Sequence, residues 1–124
     1  MPGLVTAIPA PGHTEATIVR VSGEFDLANI SQLQDAASIA LRQRNTRLVL
    51  DLRATTFLDS TMLNALLEIR QHAERTGGAV VIVRPQPRAW RIFELAGIDR
   101  LFQSAATIDE AVAGLPPGTQ AADR

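Results

Sequence analysis

The sequence contains no cysteine, no lysine and no tyrosine among its 124 residues. The missing cysteines exclude disulfide bridges, thiol nucleophiles and cysteine-based metal sites. The missing lysines exclude a P-loop lysine and a Schiff-base lysine. The two histidines, His13 and His72, lack the i, i+4 spacing of a helical metal pair. Most routes to catalysis are therefore closed, and we expect neither a metal site nor a cofactor.

Long apolar segments and a large net charge are lacking as well. The longest nearly uninterrupted apolar run, Ala79–Val83, is far too short to cross a bilayer. Residues 1–10 lack the basic segment and the apolar run of a signal peptide. The formal net charge of -1 gives no attraction to nucleic acid or to an anionic membrane. These features predict a cytoplasmic protein that binds neither nucleic acid nor membrane directly.

The composition that remains is that of an ordinary folded domain, with 46% hydrophobic and 20% charged residues. A domain of this size can bury its core without disulfides or metals. We expect one domain over residues 1–115. The segment PPGTQAADR, residues 116–124, has no apolar pattern and is predicted to be a disordered tail.

Strand and helix patterns alternate along the chain. The predicted strands are 4–8 (at an edge), 16–22, 47–52 (central), 79–83 and 101–102. The predicted helices run from the cap at Asn29 to about Arg44, from a cap at Asp59 or Ser60 to Gly77-Gly78, from Pro87 to Gly97, and from Ile108 to Leu115 after a cap at Thr107. This order predicts an α/β fold with a small mixed sheet of four to five strands and about four helices.

For the first two helices the sequence also predicts a cap and a buried face. Asn29 and Gln32 have the spacing of a capping box at the first helix. In the second helix, the apolar face is predicted to consist of Leu63, Leu66, Leu67, Arg70 and Ala73, with the stem of Arg70 covering the edge of the core.

The most informative segment lies between the predicted central strand and the second helix. It ends in three polar residues, Asp59, Ser60 and Thr61. The first N–H groups of a helix lack intrahelical partners, and the helix dipole is positive at this end. A hydroxyl group there is well placed for phosphorylation, because the free amides can solvate a phosphate. From composition alone, the same three residues are also an ordinary N-cap cluster, which specifies no partner.

Four collinear motifs resemble those of STAS domains in anti-sigma-factor antagonists. The segment Phe57–Leu63 resembles the family signature F-x-D-S-[ST]-G-[LM], and Gly23–Asp26 resembles its G-E-[LIF]-D loop. Gly77-Gly78 before a valine-rich strand matches the family's glycine turn, and Arg91–Ile98 resembles a later helix. The motifs lie between residues 23 and 98, and the resemblance as a whole covers roughly residues 16 to 115, nearly the whole predicted domain.

The resemblance implies a regulatory binding protein and not an enzyme. In the family, the serine that follows the aspartate is phosphorylated by the cognate anti-sigma factor, which is itself a serine kinase. By position this residue is Ser60, with Thr61 as a fallback acceptor if docking is shifted. Asp26, Asp59, Thr61 and Met62 would belong to the partner-binding surface around it. The implied mechanism is partner switching, which regulates transcription in a stress response and is reset by a metal-dependent serine phosphatase.

Met62 departs from the family pattern, because it occupies the glycine position of the signature. Its side chain either packs into the core or projects toward a partner. The departure motivates an alternative function, an interaction scaffold of the same fold that is not phosphorylated. A ligand-sensing module is a further alternative.

Four smaller expectations remain. An acid–base or metal-binding pair of Asp26 and Asp59 would be the enzymatic alternative, but no histidine or basic partner accompanies it in the sequence. Trp90 either anchors a partner or half-buries against a neighbouring helix, and Arg53 and Arg88 are expected to be solvated loop charges. The protein is expected to be a monomer or, through the edge strand, a weak dimer.

Overall fold

The computed structural model describes residues 3–10, 13–42, 46–55 and 58–114. The strands are β1 Leu4–Ala10, β2 His13–Gly23, β3 Arg47–Thr55, β4 Ala79–Val83 and β5 Gln103–Ala105. The helices are α1 Ile30–Ala40, α2 Ser60–Arg75, α3 Pro87–Leu95 and α4 Ile108–Gly114, and a short 3-10 helix, Asp99–Leu101, precedes β5. The predicted α/β class, the mixed sheet and the number of helices are confirmed.

The five strands form one sheet in the order β1-β2-β3-β4-β5. The edge strand β1 is antiparallel to β2, and β2, β3, β4 and β5 run parallel to one another. β3 is central, and its residues Leu48 to Leu52 are all buried. Apart from Asp51, this buried run is apolar, as is typical of a strand covered on both faces.

Helices cover the two faces of the sheet unequally. Buried side chains of α1, α2 and α3 form one cluster with alternate residues of the strands, among them Val19, Leu50 and Ile82. The intervening strand residues, among them Val49 and Val81, form a second cluster with Ala111 of α4. Because side chains alternate between the faces of a strand, α1, α2 and α3 lie on one face and α4 on the other.

The carboxyl ends of β2 and β3 meet at the same edge of the sheet. Gly23 pairs with Thr55 at the end of the parallel ladder, and the Thr55 hydroxyl donates a buried hydrogen bond of 3.2 Å to the Val21 carbonyl. The loop that leads into α1 and the loop that leads into α2 therefore start side by side.

Several predicted boundaries are wrong. The predicted strand 101–102 is displaced, since Leu101 ends the 3-10 helix and β5 begins at Gln103. α1 ends at Ala40 and not near Arg44; residues 43–45, like Leu115 and the predicted tail 116–124, lie outside the described residues. Thr107 caps α4 as predicted, its hydroxyl accepting a 3.1 Å hydrogen bond from the Glu110 amide.

The buried face of α2 is rotated by one position from the prediction. Its buried residues are Met62, Ala65, Leu66, Ile69 and Ala73, whereas Leu63 and Leu67 are only partly buried. Both sets have helical spacing, so the periodicity alone fitted either face. The tertiary contact with the sheet selected the face that includes Met62.

Candidate partner-binding surface

The loop from Glu24 to Asn29 has a fixed conformation, set by its own polar side chains. Gly23, with φ of 79°, turns the chain at the end of β2, and Phe25 anchors the loop in the core at 1% exposure. The Asp26 carboxylate accepts a 2.9 Å hydrogen bond from the Ala28 amide. The Asn29 side chain accepts one of 2.8 Å from the Asp26 amide and donates one of 3.1 Å to the Glu24 carbonyl. Such bonds hold a loop without secondary structure of its own.

These hydrogen bonds correct the predicted capping box. Asn29 is the N-cap residue of α1, but its side chain makes no capping bond to the helix. Its amide group binds the preceding loop instead, so Asn29 positions Asp26 and does not satisfy the free N–H groups of α1.

Of the two predicted caps of α2, Asp59 and Ser60, the structure shows Asp59 as the N-cap. The Asp59 carboxylate accepts a 3.1 Å hydrogen bond from the Met62 amide, and Asp59 has extended backbone angles. Ser60 is then the first helical residue. Its side chain is exposed, and within the described residues its hydroxyl makes no hydrogen bond. The hydroxyl is thus accessible to an enzyme and lies in the first turn, where the dipole of the helix favours negative charge.

Ser60 lies on the wall of a shallow groove between the loop and α2. The groove has a volume of about 210 Å³, and Leu27, Ser60, Thr61, Asn64 and Glu68 line it. We call these five residues the Ser60 surface. Leu27 is 86% exposed, the most exposed large hydrophobic residue among those described. An apolar side chain presented this openly is a frequent feature of protein–protein contact sites.

The opposite wall of the groove is held in place by a contact between α1 and α2. The Gln34 side chain donates a 3.2 Å hydrogen bond to the Glu68 carboxylate. Glu68 is the acidic residue that lines the groove in the described part of the chain, and no arginine lines it there. Asp26 and Asp59 directly precede the lining residues Leu27 and Ser60 in the sequence.

The predicted site residues are therefore only partly brought together. Ser60 and Thr61 share one groove with Leu27, the residue next to Asp26. The carboxylates of Asp26 and Asp59 each bind a backbone amide of their own segment. No group of three or more His, Asp or Glu side chains within the described ranges is arranged to hold a metal ion.

Met62 is fully buried, with 0% exposure, and it belongs to the core cluster beneath α1 and α2. Of the two alternatives, the structure thus supports packing into the core. Its inclusion among partner-contacting side chains needs correction, because a buried side chain offers no surface to a docked protein. The physical reason is its place at the third helical position, on the face of α2 that meets the sheet.

Arg53 is not the solitary solvated charge that the sequence suggested. Its guanidinium donates two 2.9 Å hydrogen bonds to the buried carboxylate of Asp51, and Arg20 lies 3.6 Å from the same carboxylate. Burial alone would raise the pKa of Asp51, but the hydrogen bonds and positive charge of Arg53 outweigh it and hold that pKa below its usual value. The sequence spacing Asp-x-Arg at a strand end could have indicated this pair.

Sequence reasoning missed Leu27, Asn64 and Glu68. The available signal was the position of Leu27, an apolar residue directly after a predicted loop motif. Asn64 and Glu68 follow Ser60 at i+4 and i+8, and so lie on the same face of α2.

Trp90 is half-buried and stacks on Phe93 within α3, with ring centroids 4.9 Å apart. The half-burial agrees with the second alternative, but the stacking partner belongs to the same helix and not to a neighbouring one.

Comparison with known proteins identifies relatives along most of the chain. The STAS domain model matches residues 7–111. A STAS-domain containing protein of Pseudomonas aeruginosa is 32% identical over 100 residues, which cover 80% of this chain and 96% of that protein. The anti-sigma-F factor antagonist RsfB of Mycobacterium tuberculosis is 27% identical over 106 residues, 86% of each protein. The crystal structure of an anti-sigma factor antagonist from Mycobacterium paratuberculosis superimposes with a TM-score of 0.75 at 28% identity, covering 92% of this chain and 94% of that one.

Proposed function

Because the chain belongs to the STAS-domain family, we propose that it is an antagonist of an anti-sigma factor, controlled by phosphorylation of Ser60. Unphosphorylated protein binds the anti-sigma factor through the Ser60 surface and releases the sigma factor. The anti-sigma factor is a serine kinase that ends its own capture by phosphorylating Ser60, and a metal-dependent phosphatase reverses the modification. The names of two relatives, both anti-sigma factor antagonists, support this assignment.

The observation that carries the proposal is the exposed hydroxyl of Ser60 at the first position of α2, which makes no hydrogen bond to any residue that the structure describes. A phosphate at this position interacts favourably with the helix dipole, so α2 can remain folded after modification. The core beneath it is also left unchanged, because the Ser60 side chain is exposed and does not belong to the buried cluster. The modification thus changes the surface and not the fold.

The effect on binding follows from charge and solvation. Phosphoserine adds about -1.5 to -2 charge at neutral pH. The carboxylates of Asp26, Asp59 and Glu68 already make this region acidic, so the added charge repels an acidic partner and is costly to bury against an apolar one. A penalty of about 3–4 kcal/mol corresponds to an affinity lowered a few hundred to a thousand times.

The proposed role needs no catalysis by this protein. Both candidate acid–base carboxylates, Asp26 and Asp59, have a structural task, since each accepts a hydrogen bond from a backbone amide of its own segment. Transcription regulation in the cytoplasm during stress belongs to the same proposal.

The test compares capture of the anti-sigma factor by the wild-type protein, Ser60→Ala and Ser60→Asp. The wild type and Ser60→Ala should retain a serine kinase from an extract, and Ser60→Asp should lose it. Ser38→Asp is the matched control, because Ser38 is an exposed serine of α1 and receives the same charge. Peptide mapping after incubation with the captured kinase and ATP should place one phosphate on Ser60.

Equal capture by all four proteins would contradict the Ser60 switch. Capture of a partner without phosphate on Ser60 or Thr61 would instead support the scaffold function that the Met62 departure suggested. A phosphate on Thr61 alone would keep partner switching but move the acceptor by one residue.

A further inference from the structure

A second cavity lies beyond the Ser60 surface, at the carboxyl end of β3 and the start of α3. Its volume is about 520 Å³, within the range of small-molecule sites. Leu58, Ala89 and Ile92 provide an apolar wall, and the charged and polar lining residues are Arg53, Thr55, Gln86 and Arg88, of which Thr55 already donates its hydroxyl hydrogen to the Val21 carbonyl. In open α/β sheets, ligands bind preferentially in the crevice outside the carboxyl ends of the strands.

The charged residues that line this cavity are all basic in the described part of the chain. Arg53 is already paired with Asp51, whereas Arg88 makes no ion pair or hydrogen bond with another described residue. Arg88 is therefore the cation that remains available to a ligand, and Gln86 offers an uncharged hydrogen-bonding group beside it.

The other concavities fit an anion less well. A cavity of about 380 Å³ between the sheet and α4 is also largely apolar, but there Asp109 offsets the charge of Arg20. The groove of the Ser60 surface is smaller, at about 210 Å³, and acidic. The combination of an apolar wall with an uncompensated arginine distinguishes the cavity at α3.

We propose that the cavity at α3 binds a small amphipathic carboxylate. The carboxylate group pairs with the Arg88 guanidinium, which presents hydrogen-bond donors in a fork that matches its two oxygens. A short apolar chain lies against Leu58, Ala89 and Ile92 and is removed from water there. This inference does not rest on the proposed function, since it needs neither a protein partner nor phosphorylation of Ser60.

The test uses octanoate as the probe, with octanol and octylamine as matched compounds that share the chain but not the negative charge. Binding is measured by calorimetry, and amide shifts in ¹H–¹⁵N spectra locate the site. We expect octanoate to bind at millimolar concentration or below and to shift the amides of Leu58, Arg88, Ala89 and Ile92. Octanol and octylamine should bind at least about tenfold more weakly, as expected for the loss of a charged hydrogen bond.

Three variants assign the charge recognition to Arg88. Arg88→Ala should weaken octanoate binding about tenfold or more, and Gln86→Glu, a change of charge at nearly constant shape, should weaken octanoate and favour octylamine. Arg91→Ala is the control, because Arg91 is an exposed arginine of α3 outside the cavity, and it should bind octanoate as the wild type does.

The proposal is overturned if octanoate shows no saturable binding, if octanol binds as tightly, or if Arg91→Ala weakens binding as much as Arg88→Ala. Shifts confined to amides outside the cavity would overturn it as well.

Discussion

Replacing Met62 by glycine, the residue of the family signature, tests how this chain departs from the STAS pattern. The side chain of Met62 is fully buried in the cluster that joins α1 and α2 to the sheet. The wild-type core should therefore depend on it, and the glycine variant should be markedly less stable.

The magnitude has two parts. Truncating a buried methionine to alanine costs about 2–5 kcal/mol, because the side chain loses its contacts and leaves a cavity. Changing alanine to glycine within a helix costs about 0.5–1 kcal/mol more, since the unfolded chain gains conformational freedom. The sum, about 2.5–6 kcal/mol, is a large share of the roughly 5–15 kcal/mol that stabilises an ordinary domain.

Urea unfolding, followed by circular dichroism and by the fluorescence of Trp90, measures the change in the free energy of unfolding. Two milder substitutions of Met62 keep the prediction testable if the glycine variant does not fold. Met62→Leu should lose less than about 1.5 kcal/mol, because the volume is nearly conserved, and Met62→Ala should fall between it and glycine. If Met62→Gly stays within about 1 kcal/mol of the wild type, Met62 is not a core residue and its side chain is free to contact a partner.

Three further predictions follow from single contacts. Asp59→Ala should lower the free energy of unfolding by about 0.5–2 kcal/mol, because the hydrogen bond from the Met62 amide is lost, and Asp59→Asn should change it far less. If urea unfolding shows no difference between the two variants, the capping role of Asp59 is wrong. Leu27→Ala should weaken anti-sigma factor binding at least about tenfold at unchanged thermal stability. The control, Leu95→Ala, changes a residue of α3 that is 75% exposed and should leave the affinity unchanged. Equal losses of affinity in the two variants would exclude the Ser60 surface as the binding site. Asp51→Asn should lower the free energy of unfolding by about 1 kcal/mol at neutral pH. This figure is kept low because Arg53, the partner of Asp51, is partly exposed and water screens the ion pair. Because folding lowers the pKa of Asp51, this stability is present above the unfolded value near 3.8 and is lost as the pH falls through the lower folded value, so the gap between the wild-type and variant unfolding curves should close in acid.

The candidate site could be predicted from the sequence as far as it depends on local rules. Asp59 was recognisable as an N-cap because its carboxylate satisfies an amide three residues away, a contact within one turn of helix. Ser60 was assigned as the phosphorylation site from a sequence motif. A motif does not tell whether its serine is exposed, so that property came from the structure. The resemblance placed Asp26 near Ser60, so Leu27, the next residue, had a signal in the sequence, but its exposure of 86% is known only from the structure.

The sequence by itself determined the order of strands and helices, since turn residues and side-chain periodicity act over a few positions. Only the tertiary structure decided which of two equally periodic faces of α2 became the core, and with it the burial of Met62. The pair of Arg53 and Asp51 is, in contrast, a local contact of 2.9 Å between side chains two residues apart on β3, and the sequence spacing could have indicated it. Only the burial of the Asp51 carboxylate depends on the packing of other segments. Periodicity fixes what a segment forms, but burial depends on what packs against it, and those partners are distant in the chain.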